Sequence, residues 1–310
     1  MILTLTVNPA LDRNVTVDRL VFEDRAYILS RYEAPGGRGI NASCVIHSFG
    51  GETAAIVPSG GSTGARFEQL LSGCGYPVHV VRIDNEIRTN LTITDKTGLT
   101  VKLNELGPPM SEAELDLLER AVRENLGQSS WLLLCGSLPP GVPPSFYSRL
   151  IALAREHQVM TLLDTDGDAL RQGVEAGPTV VAPNQQEAER LLNRALITRT
   201  HFLEAADRIR QMGADYIILS LGARGAIGAR EGQMLEAIPP RIEAVCPIGA
   251  GDALVAAFAW SMNQRDDFAE ALRWGVAAGT ASSRLPGLTF ASLRDTTAVY
   301  ERVEVKAVFG

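Results

Sequence analysis

Lysine is almost missing from this chain: of 29 basic residues only Lys96, Lys102 and Lys306 are lysine, and none follows a glycine. A P-loop cradles nucleotide phosphates with a Gly-Lys pair at a helix start, so that mechanism is excluded. An anionic ligand must instead be held by arginine or by backbone N–H groups. No block of basic residues offsets the net charge of -7, which argues against nucleic acid as a partner. Cysteine is scarce as well. The residues at 44, 74, 135 and 246 make no C-x-x-C metal pair and are too few to staple a chain of 310 residues, so core thiols are expected. His47, His79, His157 and His201 fall in no triad or metal spacing, and no role is assigned to them. No apolar run approaches the roughly 20 residues that span a bilayer. The start, residues 1–7, lacks the basic flank and cleavage site of a secretory leader, so a cytoplasmic protein without a membrane partner is expected. What remains, 45% apolar and 21% charged, describes an ordinary globular chain. There is no repeat, low-complexity tract or linker, and one domain over 1–310 is expected.

The stretch Cys246-Pro247-Ile248-Gly249-Ala250-Gly251-Asp252 stands out, because it leads straight into a run that is almost wholly apolar to Trp260. Two glycines let the backbone turn tightly and approach a ligand. The helix start that follows leaves N–H groups unpaired and facing an anion. The helix dipole would keep Asp252 ionised, ready to accept a proton from an attacking hydroxyl. Taken alone, the stretch equally fits an N-cap Asp on a buried helix.

In chain order, residues 1–7 read as a strand and 14–17 as a second one. Gly37-x-Gly39-x-x-Ala42 opens a helical run to His47 and formally fits a dinucleotide fingerprint, the sole support for an NAD or FAD protein. It lies some 30 residues behind the first strand, however, where the fingerprint should close that strand. Residues 54–57 and 78–83 read as strands and 64–71 as a helix. Residues 90–103 alternate threonine with apolar side chains about Lys96-Thr97-Gly98, a hairpin suited to a thin sheet outside the core. Ser111-Glu112-Ala113-Glu114 is a capping box opening a helix to about Leu126. The short apolar runs 131–135, 159–163, 179–182 and 217–221, separated by amphipathic segments, are the signature of parallel strands buried on both faces. The turns after them hold Gly136-Ser137-Leu138-Pro139-Pro140-Gly141, Asp164-Thr165-Asp166-Gly167, Pro183-Asn184-Gln185-Gln186-Glu187 and Gly222-Ala223-Arg224-Gly225. Ligands of open α/β sheets bind at the carboxyl ends of strands, so these turns should share one crevice. A second hairpin is expected in 226–245, and helices are expected to finish the chain.

Thr6-Val7-Asn8-Pro9-Ala10-Leu11-Asp12, Pro35-Gly36-Gly37-Arg38-Gly39-Ile40-Asn41, Arg88-Thr89-Asn90, Gly136-Ser137-Leu138-Pro139-Pro140-Gly141, Pro183-Asn184-x-x-Glu187, Ser220-Leu221-Gly222-x-x-Gly225 and Gly249-Ala250-Gly251-Asp252 are similar, in order, to the ribokinase-like PfkB carbohydrate kinases. Within that family the chain resembles the hexose-phosphate branch that holds 1-phosphofructokinase and tagatose-6-phosphate kinase. The resemblance implies an α/β fold of three layers, α/β/α, with a mainly parallel central sheet and a β-lid formed by about 11–33 and 88–106. It also implies transfer of the ATP γ-phosphoryl group to a ketohexose phosphate, first of all fructose 1-phosphate, with tagatose 6-phosphate and fructose 6-phosphate as alternatives.

By that likeness Asp252 is the base, the Gly249, Ala250 and Gly251 amides form an anion hole, and Glu187 with Asn184 positions Mg2+. A loose transition state would let an Asp of ordinary low pKa serve. Asp12, Gly37, Asn41 and Asn90 are expected at the sugar, and Arg88 and Ser137 near its phosphate. Arg38 stands where relatives commonly have lysine, and Ser220, Gly222 and Gly225 are expected along the nucleotide. Structural roles compete for these residues: Glu187 also fits a capped helix start, Asp12 and Asn41 could satisfy their own backbone, and Arg88 could be a lid ion pair. Ala182 replaces a frequent lysine, and Pro247 removes a backbone donor. Those departures leave a sugar-phosphate-binding regulatory protein with weak turnover as an alternative. Ser283-Arg284-Leu285-Pro286-Gly287 does not support a potassium site. Dimerisation through the lid is an expectation, since a thin sheet needs a covered face.

Overall fold

A computed structural model describes all residues except Phe22, Leu288, Phe309 and Gly310; Phe22, within the expected lid, thus lies outside the described residues. The strands are β1 (Ile2–Thr6), β2 (Ala10–Val17), β3 (Ile28–Gly36), β4 (Thr53–Ser59), β5 (Val78–Arg82), β6 (Arg88–Asp95), β7 (Thr100–Asn104), β8 (Trp131–Cys135), β9 (Met160–Asp164), β10 (Val180–Val181), β11 (Tyr216–Ser220), β12 (Ala226–Arg230), β13 (Gln233–Ile238) and β14 (Glu304–Ala307). The helices are α1 (Arg38–Ser48), α2 (Gly61–Leu71), α3 (Glu112–Leu126), α4 (Phe146–Glu156), α5 (Gly167–Glu175), α6 (Gln185–Leu192), α7 (Arg199–Gln211), α8 (Ala250–Arg265), α9 (Phe268–Ser282) and α10 (Leu293–Tyr300).

Ten strands form the main sheet in the order β14-β13-β12-β11-β10-β9-β8-β1-β4-β5, parallel from β11 to β5 and antiparallel from β11 to β14. Alternation along β8 shows how the layers arise. Leu132 and Leu134 join the core under α2 to α7, whereas Trp131, Leu133 and Cys135 join the core under α1, α8, α9 and α10. Both faces being covered, the parallel strands carry apolar side chains on each. Strands β3-β2-β6-β7 make the separate small sheet, with the second hairpin strand turning where residues 90–103 alternate. No helix among the described residues is long and apolar enough to cross a membrane.

Two expectations need correction. The chain does not finish on helices: β14 follows α10 and pairs with β13. Three of its four residues are exposed, so it lacks the apolar period that betrays a strand, and its charged side chains guard a sheet edge. Nor are the cysteines all core thiols. Only Cys135 is buried, while Cys44, Cys74 and Cys246 are partly exposed.

Helix α8 is buried on nearly all sides and runs antiparallel to α9. Small residues make this approach close: a Cβ on Gly279 would stand 2.8 Å from the Ala250 carbonyl oxygen, and one on Gly275 would stand 2.9 Å from that of Leu254. The glycines of α9 therefore fix where the first turn of α8 lies. Gly279→Ala is expected to cost about 1–3 kcal/mol by overpacking, read as a fall of several degrees in Tm by calorimetry. An unchanged Tm would show that the helices separate freely.

Candidate active site

The carboxyl ends of β9, β10 and β11 and the start of α8 enclose a crevice of about 190 Å³, with Arg38, Asp164, Asn184, Glu187, Ser220 and Asp252 on its polar side. This is the convergence that parallel strands with crossover helices produce. Two of the four strand-end turns read from the sequence line the crevice, one through Asp164 and one through Asn184 and Glu187. A third, at Gly222, follows Ser220, which lines the crevice at the end of β11. The fourth, after β8, is tied to it by the Gly136 N–H, which donates to the Asp164 carbonyl at 2.8 Å.

Asp252 lies in the first turn of α8, where the carboxylate Oδ2 accepts a hydrogen bond from Asn41 Nδ2 at 2.7 Å. Asn41, expected at a sugar hydroxyl, thus orients Asp252. The expectation of an ordinary low pKa is overturned: loss of hydration, reinforced by the charge of Asp164, pushes the Asp252 carboxyl up to about 7. Asn41 and Arg38 oppose that rise, and Asp12 is near enough to add to it. A helix dipole acts over one turn, and here it meets desolvation and neighbouring acids that outweigh it.

The turn before α8 uses one of its own donors. The Ala250 N–H donates to the Pro247 carbonyl at 3.2 Å, so it does not face an anion as expected. Among the described residues the Gly249, Gly251 and Asp252 amides have no protein acceptor. Gly249 takes φ 78°, the left-handed region that glycine favours. Pro247 therefore closes the turn through its carbonyl, and its missing N–H costs the turn nothing.

Arg38, first residue of α1, donates from Nη1 to Asp164 Oδ1 at 2.8 Å and from Nη2 to Glu187 Oε1 at 3.1 Å. Both acids are buried, which together with the Asp164 charge pushes the Glu187 carboxyl up while Arg38 holds it down. Glu187 is at once a cap and a crevice acid. Its Oε2 accepts from the Asn184 N–H at 2.9 Å, and Asn184 Oδ1 accepts from the Glu187 N–H at 3.0 Å. The other oxygen is left for Arg38. The structural and crevice readings of this residue are compatible because a carboxylate has two oxygens.

On the lid side, β2 and β6 pair in parallel with Ala10 beside Arg88 and Asp12 beside Asn90, so the two-residue period puts Arg88, Asn90 and Asp12 on one face. Asn90 Nδ2 donates to Asp12 Oδ1 at 2.9 Å. Burial pushes the Asp12 carboxyl up, against Asn90 and Arg88. Arg88 donates from Nη1 to the Glu105 carbonyl and from Nη2 to the Asn8 carbonyl, each at 3.0 Å. Asn8 Nδ2 lies 3.4 Å from Ser137 Oγ. Asn8 Oδ1, Arg88 Nε and Asn90 Oδ1 are buried and, among the described residues, have no partner. Each such atom costs about 1–3 kcal/mol unless something satisfies it, so this cluster has the pattern of a site for a hydroxylated ligand.

Gly37 caps α1 at φ 142°, with Thr6 where a Cβ would be. Since α1 follows lid strand β3 rather than β1, the dinucleotide fingerprint lacks its strand. Ser220 pairs with Asn184 at the crevice rim. The next two glycines differ: a Cβ on Gly225 would come within 2.0 Å of the Ala237 carbonyl, whereas one on Gly222 meets nothing within 4 Å. Packing on β13 thus accounts for Gly225, and only Gly222 opens onto free space. Sequence reasoning passed over Asp164 and Asn8. Both stand in segments that follow or end a strand, and a carboxylate on the last residue of a buried strand is the signal for Asp164.

The pattern of the pfkB family carbohydrate kinases matches residues 9–295. An ATP-dependent 6-phosphofructokinase isozyme 2 of Escherichia coli is 32% identical over 96% of this chain and 97% of its own length. A 1-phosphofructokinase of Vibrio cholerae is 28% identical over 99% and 97%. Among solved structures, phosphofructokinase-2 from Escherichia coli in complex with potassium superposes with a TM-score of 0.92 at 32% identity, covering 97% of this chain and 98% of that one.

The raised pKa of Asp252 is a statement about stability. An unfolded Asp loses its proton near pH 3.9, whereas the folded group keeps it to about 7, so between those values stability falls as pH rises, and above them the loss is complete. Asp252→Asn lacks this loss. Its Tm is expected to match the wild type near pH 4 and to exceed it by several degrees at pH 8. A gap that does not change with pH would contradict the assignment.

Proposed function

The chain belongs to the pfkB family of carbohydrate kinases, and on that premise we propose that it phosphorylates fructose 1-phosphate with ATP to give fructose 1,6-bisphosphate in the cytoplasm. The observation that carries this reading is the Asp252 carboxylate, anchored by Asn41 in the crevice that the turns after β9 and β10 line. In the reaction the sugar O–H bond breaks and its proton passes to Asp252. The sugar oxygen bonds to the γ-phosphorus, and the bond from that phosphorus to the bridging oxygen of ADP breaks. A base titrating near neutrality is well matched to this task.

The acceptor falls between Asp252 and the lid face of Asp12, Asn90 and Arg88, with Asn8 Oδ1, Asn90 Oδ1 and Arg88 Nε free for its hydroxyls and phosphate. Ser137 and Gly37 border the same face. The unpaired Gly249 and Gly251 amides face the transferring group, while Ser220, Asn184 and Gly222 follow the nucleotide. Fructose 6-phosphate and tagatose 6-phosphate are the rival acceptors, since the furanose ring presents a hydroxymethyl arm at either end.

Asp12, Asp164, Glu187 and Asp252 outweigh Arg38 and Arg88 in charge, although both substrates are anions. The surplus acids fit a divalent cation. Asp164 and Glu187 offer the hard oxygen donors that Mg2+ takes one or two at a time with phosphates and water. They would hold it there, and when bound it would neutralise charge developing on the transferred phosphoryl group.

Coupled ADP release across a ketohexose phosphate panel is expected to give the highest kcat/KM with fructose 1-phosphate. Activity should fall by about 10²-fold or more in Asp252→Asn. A full rate in that variant removes Asp252 as base; silence with every acceptor removes the kinase reading.

We also propose that the lid pairs with a second copy. Tyr27, Ile28, Leu29 and Tyr32 around β3 and Leu99 and Leu103 around β7 are at least 50% exposed, and a four-stranded sheet with bare apolar edges calls for a cover. Sedimentation is expected to give a dimer, with Leu29→Lys combined with Leu103→Lys shifting it to monomer. A wild-type monomer at all concentrations would refute this.

A further inference from the structure

Arg38 occupies an unusual position for a cation. It is the first residue of α1, at the positive end of that helix, where the dipole disfavours a basic group. Its side chain compensates by spanning Asp164 and Glu187, whose side chains are 8% and 5% exposed against 31% for Arg38 itself. Asp252 is near enough for its charge to act on the same guanidinium. Two buried acids held within the width of one guanidinium repel each other unless a cation stands between them. Arg38 supplies that cation, and its planar fork reaches both carboxylates where a lysine ammonium would reach one. These are also the two acids that offer hard oxygen donors for a divalent ion.

We propose that Arg38 holds the cation seat between Asp164 and Glu187 in the nucleotide-free enzyme and gives it up when a divalent cation arrives with the nucleotide, so that the two cations exclude one another. The seat is then closed to free metal, because an incoming ion must displace ion pairs that already neutralise the site. Phosphate oxygens tip the exchange. They add ligands for the metal, and they give the displaced guanidinium a new anionic partner of matching geometry. The nucleotide half of this exchange rests on the kinase reading, whereas the exclusion of free metal does not.

Mn2+ titration followed by electron paramagnetic resonance, with no nucleotide present, tests the exclusion. Arg38→Met is expected to bind Mn2+ at least about tenfold more tightly than wild type, and Arg38→Met with Glu187→Gln is expected to lose that gain. Adding a non-hydrolysable ATP analogue should bring wild-type Mn2+ affinity up to that of Arg38→Met. Circular dichroism checks folding; if Arg38→Met does not fold, Arg38→Lys decides, with an expected gain of a few-fold because its ammonium cannot span both acids. Equal Mn2+ affinity in wild type and the folded variant overturns the proposal. That result alongside normal ketohexose phosphorylation would leave the kinase reading intact. Conversely, tighter Mn2+ binding by the variant in a protein that phosphorylates no acceptor would support the seat and remove the kinase reading.

Discussion

The arrangement depends on an excess of buried acid at the carboxyl ends of the parallel strands. Asp164 ends β9, Glu187 opens α6 and Asp252 opens α8, and the topology of the sheet forces these ends together. Left alone, such a cluster would neutralise itself by taking up protons. The elevated pKa values of Asp252 and Glu187 are the trace of that tendency. Arg38 limits it, and the unpaired amides at the head of α8 supply further positive potential from the backbone. The crevice is thus lined by acids that one arginine and backbone amides neutralise only in part.

The crevice also has a stiff frame, which would keep a base within hydrogen-bond reach of a hydroxyl. The frame is built from small residues. Alanines make α8 slim enough to lie between α1 and α9, and glycines on α9 bring the helix backbones into contact at Ala250 and Leu254. Asn41 then ties Asp252 across to α1, the helix that also carries Arg38. Asp252 and Arg38 are therefore positioned by one pair of elements, and a shift of α1 would move both.

The central strands, the lid hairpin and the crevice were legible in the sequence because each rests on local pattern: apolar runs buried on both faces, a threonine alternation, and glycine turns following strands. The partners of individual side chains were not. Nothing in Pro35-Gly36-Gly37-Arg38 tells that Arg38 will meet acids 126 and 149 residues away, since such pairing is set by strand order rather than spacing. Asp252 was legible as an acid at the head of an apolar helix but its protonation was not, because the dipole is a local property while desolvation belongs to the assembled crevice. Strand β14 escaped for the opposite reason: it is an exposed edge and carries no core pattern at all.

Arg88 shows how the lid and the main sheet are made to act together. Its terminal nitrogens are spent on backbone carbonyls, that of Asn8 just beyond β1 and that of Glu105 just beyond β7. The guanidinium is therefore a strut between the two sheets, and among the described residues its Nε has no partner. Burial lowers the pKa of Arg88, with Asp12 and Glu105 restoring part of the loss, so an arriving phosphate would strengthen a cation that is already short of counter-charge. An anion drawn to Nε would lie against Asn8 and Asn90, whose own free oxygens accept hydroxyls rather than repel them. A sugar phosphate would satisfy both demands at once, and it would set the small sheet against the main one.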